Sequence, residues 1–203
     1  FVASRMSLIL SDSTILEDHE DCNRVQDPYS FRCIPQVHGP VQEALKKLMD
    51  TVAIELNSST DNPLIFPDAE NPGSHEVVSQ GNFHAEVLAI VSDTMSLALF
   101  ELSSISERRI DQMLDPSRLA IRPFLAENPG LESGLMIVQY AAAAALGELR
   151  GHASPRTAFS TTTSAGQEDH VSMGATASWN HFEAVQRCSE VIACEAFVAH
   201  RAL

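Results

Sequence analysis

The sequence predicts an all-α protein, a bundle of long helices, and three observations point to it. The ten prolines, at 28, 35, 40, 63, 67, 72, 116, 123, 129 and 155, leave long proline-free segments between them. Those segments carry apolar residues at three- and four-residue steps, the period of one helix face. Strand-like alternation is scarce, and no internal repeat or low-complexity segment interrupts the pattern.

Taken in chain order, "VQDPYSFRC" (25–33) comes first. Asp27 before Pro28 reads as a helix start, with an acceptor at the N-cap and proline at the first helical position. Pro35 disfavours helical geometry at Ile34 and limits that helix. Tyr29 and Arg32 then share a face, with Gln26 just outside. A solvated turn is the plain reading of the stretch by itself. Residues 41–56 place Val41, Leu45, Leu48, Val52 and Leu56 on an amphipathic stripe. "HEVVSQGNF" (75–83) suits a short hairpin arm. Residues 83–109 lack Gly and Pro and make a helix of roughly 40 Å. Its apolar positions wrap most of the way round, as in a helix buried among others. About 132–150, "QYAAAAALGEL" favours helix and lets neighbouring helices approach closely. A last helix covers about 174–203.

Composition excludes several classes. The 203 residues are 44% hydrophobic with a net charge of −14, so nucleic acid and anionic membranes are poor partners. No run of about 20 apolar residues is present to span a bilayer, and Phe1–Leu10 lacks the basic n-region and clear cleavage site of a signal peptide. Cys22, Cys33, Cys188 and Cys194 lack CxxC pairing, which suits reduced thiols in a cytoplasmic protein. The chain begins at Phe1 without methionine and stops within an apolar pattern. Residues 1–203 are therefore expected to be a single helical region, an incomplete part of a larger chain.

Polar groups gather in the connections: "NSSTDNP" (57–63), "GNFHAE" (81–86), "SERR" (106–109), "LAENPGLESG" (125–134) and "SAGQEDHVSMG" (164–174). Each has a structural explanation. "NSSTDNP" suits a helix end and turn, and "SERR" the solvated last turn of the long helix. His84 and Glu86 form the HxE of zinc deaminases, but no PCxxC follows, and no metal is expected. Gln167-Glu168-Asp169-His170 suits acid–base chemistry or a metal; Ser164 or Asp169 would equally well cap the following helix. There is no GxGxxG, Walker loop, GxSxG or HExxH.

In order, "VQDPYSFRCIPQVHG", "NSSTDNPLIF", "SQGNFHAE", "SERRI", "FLAENPGLESGLMIVQ" and "SAGQEDHVSMG" resemble the aromatic amino acid ammonia-lyase and aminomutase family, within it the histidine ammonia-lyases. The match runs over nearly the whole chain after about residue 20. The resemblance implies a long-helix bundle of the ammonia-lyase (aspartase/fumarase-like) type. It implies elimination of ammonia from L-histidine to give urocanate. It also implies a methylidene-imidazolone electrophile, made autocatalytically from an internal Ala-Ser-Gly that this sequence does not contain.

Carried onto this chain, Gln26 hydrogen-bonds near the prosthetic group and Tyr29 helps place the amine or polarise the electrophile. Arg32 holds the substrate carboxylate, Phe83 lines the pocket, and Glu168 faces the imidazole as hydrogen-bond partner or acid–base group. Phenylalanine and tyrosine enzymes tend to carry Asn-Gln-Asp at positions 167–169, where a buried carboxylate would suit a phenyl ring poorly. Histidine enzymes usually carry Asn at the position of Gly166. Family members form tetramers whose sites combine several subunits, so the chain alone is expected to be inactive. The alternatives are a phenylalanine or tyrosine lyase or aminomutase, and a non-catalytic helical assembly protein on the same scaffold. Faint similarity of "NSSTDNP" to the aspartase and fumarase loop ranks below these.

Overall fold

A computed structural model describes residues 1–17, 25–118 and 121–203. Cys22 and most of the acidic cluster at 17–21 lie outside the described residues. The helices are α1 (Val2–Leu10), α2 (Thr14–Glu17), α3 (Tyr29–Arg32), α4 (Ile34–Glu55), α5 (Glu86–Leu114), α6 (Met136–His152) and α7 (Gly174–Ala202). One antiparallel hairpin, β1 (Leu64–Pro67) with β2 (His75–Val78), stands between α4 and α5 in register Leu64 to Val78 and Pro67 to His75. It contains the first part of the segment expected to form a hairpin arm.

The bundle is organised around α5. Its 29 residues make a rod of about 43 Å, packed against α4, α6 and α7. At one level Met95 and Leu99 of α5 meet Val41, Leu149, Ala184 and Cys188. Further along, Ile110 and Leu114 meet Leu125, Ala142 and Val198. Close approach is possible because many contact residues are small: Ala89, Ser96, Ser103, Ser106, Ala142, Ala177 and Ala184 are all fully buried. In the alanine run only Ala142 and Ala145 face the interior; Ala141, Ala143 and Ala144 are exposed. By length and composition α5 would also pass for a membrane span. Its apolar character is accounted for by helices on several sides.

Three local expectations need correction. Pro35 does not end the helical path. It sits in the first turn of α4, where a missing N–H leaves no intrahelical partner unsatisfied, and only Cys33, at φ −100° and ψ 16°, separates α3 from α4. The long α5 continues to Leu114, because the first breaker after "SERR" is Pro116. "SERR" is therefore not a solvated last turn: Ser106, Glu107 and Arg109 are buried and only Arg108 is exposed. "NSSTDNP" does close α4, through Asn57 Nδ2 to the Ala53 carbonyl (2.7 Å) and Ser58 Oγ to that of Ile54 (2.8 Å).

Burial leaves two imidazoles short of partners. His38 Nε2 and His181 Nδ1 are enclosed without a hydrogen bond. Desolvation lowers the pKa of both below 6.5; beside His38 the Arg109 guanidinium lowers it further and Glu195 opposes this. The unfolded chain therefore binds protons first as pH falls through 6.5, and the contribution of these groups to stability declines from there down to their folded-state values. The thermal midpoint of the chain should fall between about pH 7 and pH 5. A double His38→Gln, His181→Gln variant should show a shallower fall, measured by circular dichroism. An unchanged slope would contradict this assignment.

Candidate active site

The polar face opened by α3 is built from a single turn. Phe31 and Arg32 donate their backbone N–H groups to the Pro28 carbonyl (3.0 and 3.2 Å), and Cys33 donates to that of Tyr29 (2.9 Å). Pro28 itself occupies the cap position, at φ −56° and ψ 153°, without a side-chain cap bond. Asp27 is thus not the N-cap, because the proline already supplies the fixed extended backbone that starts the turn. Tyr29 and Arg32 share a face, as the three-residue spacing requires. The Arg32 guanidinium lies 4.9 Å over the Tyr29 ring, a cation–π contact, while its Nη1 donates to Gln26 Oε1. Tyr29 is 69% exposed. Of the three residues expected to act together, Arg32 therefore touches both others, and the group is open on its outer side.

What holds this turn in place was not foreseen from the motifs. Arg109 of α5 pairs with Glu195 of α7 through two guanidinium nitrogens, Nη2 to Oε2 being 2.9 Å. Ser106 Oγ donates to the same carboxylate at 2.5 Å. The remaining arm of Arg109 donates to the Ser30 carbonyl at 3.3 Å, and Ser30 is the buried residue of α3. One guanidinium thereby fixes the turn bearing Tyr29 and Arg32 to the two longest helices. Reading the long helix as far as Pro116 would have placed Arg109 on a buried face; its partner, 86 residues away, carries no local signal.

Glu168 and Phe83 lie on two connections that touch each other. Residues 163–168 form a tight loop closed by Thr163 N–H to the Glu168 carbonyl (2.9 Å). Ser164 (φ 49°), Ala165 (φ 55°) and Gly166 (φ 91°) all take left-handed backbone. That conformation is sparsely populated except by Gly, with Asn next best tolerated, so Gly166 suits the place where histidine enzymes carry Asn. The loop turns the Thr163 and Ser164 hydroxyls onto the Glu168 carboxylate, the latter at 2.9 Å. These bonds hold its pKa below the ordinary 4.5, so it is anionic at neutral pH. Neither Ser164 nor Asp169 caps α7, which starts later, after Met173 and without a side-chain cap bond.

Phe83, half exposed, precedes His84, whose Nε2–H donates to the His170 carbonyl at 2.9 Å. The two imidazoles stack with centroids 5.8 Å apart. Ala85 packs directly on Gly174, where a Cβ would come within 2.8 Å of the Ala85 Cβ; a side chain there would push the start of α7 off this connection. Among the described residues, no hydrogen bond, ion pair or ring contact joins the Gln26–Tyr29–Arg32 group to Phe83 or Glu168. The structure therefore presents two separate groups of the expected residues.

The same sequence matches known proteins along its whole length. The family model for aromatic amino acid lyases matches residues 1–203. Histidine ammonia-lyase of Myxococcus xanthus is 44% identical over 202 residues, all of this chain and 39% of that protein. A probable histidine ammonia-lyase of Halobacterium salinarum is 48% identical over 92% of this chain and 37% of its own length. The crystal structure of histidine ammonia-lyase from Trypanosoma cruzi superposes with a TM-score of 0.81 at 42% identity, covering 87% of this chain and 34% of that one. Phenylalanine aminomutase of Pantoea agglomerans superposes at 0.84 with 33% identity, covering 98% and 42%. The chain thus spans about 39% of the length of the first of these relatives. With the helical scaffold, the order of the motifs and the full-length match agreeing, the chain belongs to the aromatic amino acid lyase family.

Proposed function

We propose that this chain forms part of a histidine ammonia-lyase, which eliminates ammonia from L-histidine to give urocanate. The observation that carries the substrate assignment is Glu168, an open carboxylate kept ionised by two hydroxyls. Such a group complements an imidazole, which donates N–H and is cationic below its pKa, and is mismatched to a phenyl ring. The higher identity to histidine enzymes than to the phenylalanine aminomutase supports the same choice.

In this reading the substrate carboxylate is held by Arg32, whose planar fork suits it. Gln26 orients that guanidinium and Tyr29 lies beside the substrate amine. Phe83 packs on the substrate, and Glu168 receives the ring N–H or exchanges its proton. Elimination breaks the Cα–N bond, removes a Cβ proton and leaves the new double bond between Cα and Cβ. An amine leaves poorly and the Cβ proton is weakly acidic, so the family uses a methylidene-imidazolone electrophile. The exposed Gln26–Tyr29–Arg32 face fits such a group, since it offers a phenol and an amide unobstructed on their outer side. This sequence lacks the Ala-Ser-Gly from which it forms. A tetramer is proposed for the whole protein, in keeping with large apolar side chains left open on the long helices, such as Trp179 and Phe182.

The test uses the full-length parent with histidine and an absorbance assay for urocanate. Glu168→Gln should lower kcat/KM about 10²–10⁴-fold, the range for loss of an acid–base group. The 203-residue chain alone should form no urocanate. Preferential formation of cinnamate from phenylalanine by the parent would replace the histidine reading with the phenylalanine one. Retention of full activity by Glu168→Gln would remove Glu168 from the site.

A further inference from the structure

We propose that His84, Glu86 and His170 form a binding site for a divalent transition cation of the zinc class. One ligand atom from each lies within 4.8 Å of the others. The HxE spacing was set aside on sequence because no PCxxC follows it. The third ligand comes instead from the far connection, 86 residues after His84.

The hydrogen bonds around the two imidazoles decide their tautomers. A carbonyl only accepts, so the bond between His84 Nε2 and the His170 carbonyl (2.9 Å) places a proton on Nε2. In the neutral ring Nδ1 of His84 is then a free lone pair. Ser160 Oγ has a single proton and donates it to the Val171 carbonyl at 2.9 Å. Its contact with His170 Nδ1, at 3.1 Å, must therefore be an N–H donated to the hydroxyl. In the neutral ring this puts the lone pair of His170 on Nε2. Both rings thus have the arrangement of metal-bound histidines, one nitrogen donating to a carbonyl or hydroxyl and the other open.

The fold supports the side that carries His84 and Glu86. Glu86 opens the first turn of α5, and Ala85 between the two ligands is packed on Gly174. Tetrahedral ligands at about 2.0–2.1 Å from zinc are roughly 3.3 Å apart, so cation binding would draw ligand atoms now within 4.8 Å of one another closer together. Two imidazoles and one carboxylate leave a fourth position open, as in zinc sites that take water or a substrate donor. Bound there, the cation would clamp the connection carrying Phe83 to the loop carrying Glu168. The proposal stands independently of the lyase reading, because its readout is binding.

The experiment is a titration of the metal-stripped full-length parent with Co²⁺, followed by its visible d–d absorption, and with Zn²⁺ by calorimetry. A tetrahedral Co²⁺ band is expected, with His84→Ala, Glu86→Ala and His170→Ala each abolishing it or weakening binding at least about 100-fold. Ser160→Ala, which removes only the outer partner of His170, should weaken binding on the order of 10-fold. His75→Ala, on the hairpin, should leave the band unchanged. The three cluster positions and Ser160 are all outside the buried core, so the variants should fold, as circular dichroism would verify. Absence of binding by the parent, or unchanged affinity in folded His84→Ala and His170→Ala variants, would overturn the proposal.

Discussion

Replacing Arg109 with leucine is expected to destabilise the chain by about 3–5 kcal/mol, because it leaves the Glu195 carboxylate without its cationic partner in a largely buried setting. Arg109 is 7% exposed, and it is tied to Glu195 by two nitrogens and to the Ser30 carbonyl by a third. Among the described residues, Ser106 alone would remain as a donor to that carboxylate. Removing both charges, in Arg109→Leu with Glu195→Leu, should recover a good part of the loss, since the unpaired charge rather than the missing pair accounts for most of it. Urea unfolding of the three chains measures this directly. A single variant within about 1 kcal/mol of the parent would mean that water reaches Glu195 and solvates it. The substitution should also loosen α3, so hydrogen exchange at Phe31, Arg32 and Cys33 should accelerate in both variants, even where the double variant regains stability.

How much of this was legible in the sequence follows from the range of the interactions. The long helices were legible because local rules make them: α5 and α7 come from runs without proline and with apolar residues at helical steps. Their ends were less so. Arg109 looked terminal although nothing breaks the helix before Pro116, and Pro35 looked like a stop although prolines are equally at home in a first turn. Within the site, Tyr29 and Arg32 were placed on one face by spacing alone, and that proximity is observed. Contacts between distant segments left no such trace. Nothing near Arg109 announces Glu195, and nothing near His84 announces His170; both pairings arise only when α5 and α7 lie side by side. The left-handed turn at 164–166 was hidden for another reason. Ser164 and Ala165 are residues that ordinarily avoid that backbone, so the loop's geometry contradicts local preference and is imposed by its closure onto Glu168.

Arg32→Ala in the full-length parent should lower kcat/KM for histidine by about 10²–10³-fold, chiefly through KM. A bidentate, charge-assisted contact with a carboxylate that has lost its water is worth about 2–5 kcal/mol when one partner is removed, and 10²–10³-fold, about 2.7–4.1 kcal/mol, falls in the middle of that span. The carboxylate does not react, so this interaction is similar in the ground and transition states and its loss appears mainly as weaker binding. Arg32→Lys should fall between: the charge remains, but a point ammonium cannot reproduce the planar fork. The neighbours make the test sharper. Arg32 is held from one side by Gln26 and rests on the face of Tyr29, so its position depends on both. Gln26→Ala should therefore raise KM in the same direction by a smaller factor, and combining it with Arg32→Ala should add little, because the amide acts on the carboxylate only through the guanidinium. Tyr29→Phe keeps the ring beneath Arg32 and removes only the hydroxyl, and it should instead reduce kcat with KM nearly unchanged. Steady-state kinetics on the four single variants and the double variant distinguish these outcomes. If Arg32→Ala and Tyr29→Phe both kept the parent's kinetics, the face formed by α3 would be a solvated turn with no part in the site.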